Sequence, residues 1–113
     1  MRTKSASKII TRDPSWLGPA IPPGEILLEE FMVPHGISQN RLAREIDISP
    51  ARINDIVHGR SAITAAVALR LGKYFGTTPE MWLNLQADYD LRLARAAEWT
   101  RIEPRVRVLS GGR

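Results

Sequence analysis

The stretch from Ser38 to Arg60, SQNRLAREIDISPARINDIVHGR, constrains this chain more than any other. It holds two helix starts and one turn. The Ser38 hydroxyl can accept a free N–H from the first turn of a helix. Leu42, Ala43 and Ile46 then share one face at helical spacing. Asp47 follows, and aspartate tolerates the left-handed backbone of a sharp turn. Ser49 caps a second helix, and Pro50 suits its first position, where the missing N–H costs nothing. Ile53, Ile56 and Val57 fall on the inner face. Gly59 sits just past the end, where a helix favours glycine. The pattern predicts two short helices joined by a tight turn, with the small Ala43 where they cross.

The second helix keeps Ala51, Arg52, Asn54 and Asp55 on its outer face. Bulky apolar residues could not read base edges, whereas Arg and Asn have bidentate geometry for guanine and adenine. An ordinary helical hairpin with a solvated face does not require the caps, the turn, the small crossing residue and the glycine stop to agree. The stretch therefore reads as a helix-turn-helix directed at double-stranded DNA. Gln39, Ala51, Arg52 and Asn54 are the candidates for base readout, and Ser38, Arg41 and Arg60 for phosphate. Ser49 and Asp55 complete the candidate surface.

The remaining chain supplies helices around this pair. Glu25 to about Val33 is expected as the first helix, with Leu27, Leu28, Phe31 and Met32 as its buried stripe and Pro34 and Gly36 as its stop. Thr64 caps a fourth helix whose core residues are Val67, Leu71, Tyr74 and Phe75, closed by Gly76. Thr78 caps a fifth, with Pro79 at its first position. Trp82, Leu85, Tyr89 and Leu93 form one stripe on a helix running to about Trp99. That is longer than closing a small core requires, so these four are expected at a homodimer interface. Pro104 ends the helical region, and Arg105 to Leu109 alternates like a short strand. His35 and His58 each fall at a helix end, where the C-terminal dipole favours them.

At 113 residues, 43% of them hydrophobic, the chain can bury one modest core. It has no cysteine, which excludes disulfides and thiolate metal sites. No metal or other cofactor is expected. No apolar run approaches the ~20 residues of a membrane span, and no apolar region follows the basic N-terminus, so a cytoplasmic protein is expected. The net charge of +4 is unevenly placed: residues 1–24 and 101–113 each carry +3, and residues 25–100 carry −2. DNA binding is thus argued from the motif rather than from bulk charge. The sequence has no HExxH, P-loop, GxSxG or GxGxxG pattern, so an enzyme is not expected.

PPGEILLEEF, the helix-turn-helix, and ITAAVALRLGKYFGTTPEMWLNLQADYDL together resemble HigA-type antitoxins of the phage-repressor-like (Xre) superfamily. The resemblance runs from Pro22 to Ala94, and FGTTPEMWLNLQADYDL is its most specific part. It implies a lambda-repressor-like domain; with the helices read above, the chain is expected to be all-α, with a five-helix domain over residues 22–100 between a basic arm (1–21) and a basic tail (101–113). It also implies a dimeric repressor on palindromic operator DNA, and a HigB-type toxin partner with ribosome-dependent mRNA endonuclease activity. A stand-alone regulator without a toxin is the alternative. Base contacts of related repressors fall here at Pro50, Ala51 and Asp55. Pro50 offers no N–H and Asp55 repels phosphate, although it could accept from cytosine N4. Trp16 and Leu17 are expected to clamp the arm onto the domain, and with Val106, Val108 and Leu109 they are the apolar candidates for a toxin contact.

Overall fold

The computed structural model describes residues 20–109. Ile21–Leu91 form one compact unit, and Arg92 onward belongs to a second. Trp16, Leu17 and the last four residues lie outside the described residues.

Helix α1 spans residues 23–35 and starts at Pro23, with Pro22 as its extended N-cap. Its middle, Leu27–Met32, is π-helical, and Val33–His35 returns to α-helix. The helix therefore continues through Pro34, where the sequence suggested a stop. A prolyl ring ordinarily clashes with the carbonyl four residues back, and the widened π-helical turn just before Pro34 relieves that crowding. Gly36 ends the helix, left-handed at φ 64°.

Helix α2 is Gln39–Ile46 and α3 is Pro50–Val57. Asp47 between them is left-handed, at φ 63° and ψ 51°. Helix α4 is Ala65–Phe75, capped by the Thr64 hydroxyl and closed by left-handed Gly76. Helix α5 is Pro79–Ala94, capped by the Thr78 hydroxyl, which accepts from Met81 N–H at 3.1 Å.

The core gathers the inner faces of all five helices. Leu27 and Met32 of α1, Leu42, Ala43 and Ile46 of α2, Ile53, Ile56 and Val57 of α3, and Val67, Ala68 and Leu71 of α4 are buried, as is Trp82 of α5. Burying each large side chain of this kind contributes ~1.5–3 kcal/mol. Phe31 links three elements, with its ring centroid 5.2 Å from Phe75 and 4.9 Å from Trp82. Trp82 also donates its indole N–H to the Thr77 hydroxyl at 2.8 Å. A buried indole N–H needs such a partner.

Two close approaches seat the helices. A Cβ on Gly24 would lie 1.7 Å from the Ile56 carbonyl oxygen, so α1 begins directly against the end of α3. A Cβ on Gly72 would lie 2.9 Å from the Thr77 carbonyl oxygen.

In the second unit, Arg95–Trp99 is π-helical, Thr100–Ile102 is α-helical and Glu103–Arg105 is a 3-10 turn containing Pro104. The described residues contain no strand. The alternation from Arg105 to Leu109 leaves Val106 extended, at φ −93° and ψ 122°. A strand also requires a ladder partner, and the described residues supply none.

Candidate nucleic-acid interface

The two helices of the motif start on serine caps. Ser38 Oγ accepts from Arg41 N–H at 3.0 Å, and Ser49 Oγ accepts from Arg52 N–H at 3.1 Å. Each bond satisfies one backbone donor that a helix start leaves free. Pro50 occupies the first position of α3. Beyond it Ala51 is exposed, and Arg52 is half-exposed. Arg52 carries no side-chain hydrogen bond or ion pair among the described residues, so its guanidinium fork is available to a ligand.

Gln39, Asn54, Asp55 and Arg60 form one hydrogen-bonded chain across both helices. Asn54 Nδ2 donates to Gln39 Oε1 at 3.1 Å. Arg60 Nη2 donates to Asn54 Oδ1 at 2.9 Å, and Arg60 Nε donates to Asp55 Oδ1 at 3.3 Å. The backbone brings Arg60 there. His58 caps α3, Gly59 turns left-handed at φ 77°, and Arg60 N–H then donates to the Asp55 carbonyl at 2.7 Å. The sequence placed these four residues on one surface; their mutual bonding was not legible in it, because no local spacing rule links Asn54 to Arg60.

Arg41 is tied differently. Its Nε donates to Glu45 at 3.3 Å, one turn along α2. Glu45 also accepts from the Tyr74 hydroxyl of α4. That hydroxyl, aided by the Arg41 charge, holds the Glu45 carboxyl below the usual glutamate range, and the same bond raises the Tyr74 phenol. Arg70 of α4 donates from Nε to the Ile46 carbonyl at 2.9 Å. It thereby caps the C-terminal end of α2, a role the sequence did not suggest. His35 Nδ1 lies 2.8 Å from the Phe31 carbonyl, and His58 Nδ1 lies 2.9 Å from the Asn54 carbonyl. Both imidazoles serve helix ends.

The four residues expected at a dimer interface separate. Trp82 is wholly buried within its own chain, so it anchors α5 to the core and offers no surface to a second copy. Leu85 packs partly against that core. Tyr89 is half-buried, and Leu93 is exposed.

A helix-turn-helix family model matches residues 28–82. Virulence-associated protein I of Dichelobacter nodosus is 53% identical over 76 residues, a match that covers 67% of this chain and 70% of that protein. Antitoxin HigA-1 of Vibrio cholerae is 38% identical over 68 residues, covering 60% of this chain and 64% of the relative. The solved structure of the Pseudomonas aeruginosa antitoxin HigA with the higBA promoter is 43% identical, with a TM-score of 0.76. That likeness covers 80% of this chain and 98% of the other.

Proposed function

This chain belongs to the HigA-type antitoxin family of Xre helix-turn-helix proteins, and from that premise we propose that it is the antitoxin of a type II toxin–antitoxin module. It binds palindromic operator DNA as a dimer, represses its own operon, and neutralises a HigB-type, ribosome-dependent mRNA endonuclease. The observation that carries the DNA reading is the outer face of α3. Ala51 and the unengaged Arg52 stand at a capped helix start, beside a Gln39–Asn54 bond that joins α2 to α3. The Pseudomonas relative was solved with promoter DNA, which supports DNA binding by this chain.

In this reading α3 enters the major groove, with Gln39, Ala51, Arg52 and Asn54 toward the bases and Ser38 and Arg41 toward phosphates. Leu85, Tyr89 and Leu93 of α5 face a second copy, and half-sites lie about one helical turn (~34 Å) apart. The toxin acts on RNA, so it carries a basic surface. The charge of −2 over residues 25–100 attracts it. Val106, Val108 and Leu109, 56%, 81% and 80% exposed, supply apolar anchors.

Mobility-shift titration on the DNA upstream of its own gene tests the repressor half. Arg52→Ala should weaken operator binding by roughly 1–3 kcal/mol and leave random DNA nearly unaffected. Equal losses on both DNAs would remove Arg52 as a reader. Co-purification with the product of the adjoining gene tests the antitoxin half. A chain that neither binds that product nor rescues growth when it is expressed would be a stand-alone regulator.

A further inference from the structure

We infer that Arg60 is a positioning residue for base readout: it fixes the Asn54 amide, and with it Gln39, as a donor-rich edge that selects guanine in the operator half-site. The inference rests on the DNA-binding reading above and adds to it one role and one base.

A carboxamide is nearly symmetrical in shape but not in chemistry. Its carbonyl accepts and its NH2 donates, so a flip reverses what it presents. Here both ends of Asn54 are engaged, Nδ2 with Gln39 Oε1 and Oδ1 with Arg60 Nη2. Gln39 could flip to follow a flipped Asn54. Arg60 could not, because a guanidinium has five donors and no acceptor. A flipped Asn54 would set donor against donor, so the guanidinium decides the orientation of both amides.

Arg60 is itself held in place. Its Nε bonds the Asp55 carboxylate at 3.3 Å, and its backbone N–H bonds the Asp55 carbonyl at 2.7 Å. Asp55 therefore anchors Arg60 through one carboxylate oxygen. Its carboxylate also offsets the Arg60 charge, which makes Arg60 a poorer phosphate ligand than its sequence position suggests.

Both amide carbonyls of the pair already accept one bond. The NH2 group of Gln39, the second Nδ2 hydrogen of Asn54 and the remaining guanidinium hydrogens have no recorded partner among the described residues. Guanine presents two neighbouring acceptors, N7 and O6, in the major groove; adenine requires an acceptor beside a donor. The donor-rich edge fits guanine.

Arg60→Lys separates geometry from charge, since lysine keeps the cation but lacks the fork that bridges Asn54 and Asp55. The measurement is binding of the full chain to its operator with all four base pairs at each half-site position, repeated over salt concentration. Wild type, Arg60→Lys, Arg60→Ala and Asn54→Ala are compared. Wild type should prefer guanine at one position by roughly tenfold or more. All three variants should lose most of that preference, while Arg60→Lys keeps the wild-type salt slope. Retained preference in Arg60→Lys would overturn the inference alone and leave Arg60 as a plain phosphate contact, with Arg60→Ala flattening the slope by about one unit. A preference for adenine at the position sensitive to Asn54→Ala would overturn the donor argument. Failure of wild type to bind operator DNA would overturn the inference together with the reading beneath it.

Discussion

Gly24→Ala should destabilise the domain, although alanine is the better helix former. Ala in place of Gly within a helix is worth about 1 kcal/mol of stability. Against that, the added methyl would stand 1.7 Å from the Ile56 carbonyl oxygen, 2.5 Å from its carbon and 2.9 Å from the Val57 Cα. All three are backbone atoms, so no rotamer relieves the overlap. Carbon and carbonyl oxygen approach to ~3.3 Å, and the start of α1 must withdraw from α3 by roughly 1.5 Å. That withdrawal loosens Leu27, which is fully buried. A gap of even 0.5–1 Å forfeits about a quarter to a half of each dispersion contact. Overpacking of this kind costs about 3 kcal/mol or more where the backbone must move, leaving a net loss of about 2 kcal/mol. For a domain of this size, the melting temperature should fall by roughly 10 °C. Thermal and urea unfolding followed at 222 nm would measure it. Gly76→Ala is the comparison, because nothing lies within 4 Å of its Cβ position and only the φ of +77° opposes the substitution; it should cost about 1–2 kcal/mol. A Gly24→Ala protein as stable as wild type would refute the close approach of α1 to α3.

Arg70→Ala should remove the cap on the Ile46 carbonyl and cost about 1–2 kcal/mol, read as a lower urea midpoint at unchanged slope. Ser49→Ala should cost about 1 kcal/mol by freeing the Arg52 N–H at the start of α3. Glu45 predicts a pH dependence. The Tyr74 hydroxyl and then the Arg41 charge hold its folded pKa low, so its contribution is complete above the ordinary glutamate value of ~4.3 and is lost as pH falls through the folded value. Tyr74→Phe should make the acid-side loss of stability shallower, and an unchanged acid limb would remove that hydroxyl as the cause.

The helices were legible because their signals are local. Ser38, Ser49, Thr64 and Thr78 cap the helices the sequence assigned to them, and the left-handed turn falls at Asp47. The buried faces of α2 and α3 also follow from spacing alone. Contacts between residues distant in sequence were not legible. Arg70 reaches Ile46, Tyr74 reaches Glu45, and Gln86 Oε1 accepts the Ile63 N–H at 2.7 Å. No periodicity encodes such pairs. The close packing of Gly24, which follows two prolines, was not legible either, because it depends on where α3 ends. Pro34 misled because a proline stop assumes a regular helix, and α1 is π-helical just before it. Trp82 misled in the same manner: a stripe records which side is apolar, but not whether the covering surface belongs to the same chain.

The charge distribution bears on how a slightly acidic domain can serve as a DNA reader. Non-specific affinity grows with the number of phosphates a protein neutralises. Two of the arginines on this surface are already paired, Arg41 with Glu45 and Arg60 with Asp55. Each pair is exposed and adds little to stability. Each also lowers the field that any DNA sequence would meet, so random DNA gains little from this face. In the proposed function, Arg52, unengaged among the described residues, and the amides of Gln39 and Asn54 would act through hydrogen bonds whose geometry only the right bases satisfy. Pairing the cations thus favours the difference between operator and random DNA over raw affinity. One such helix contacts too few base pairs to suffice, which is the physical reason the proposed function requires two copies on a two-fold site.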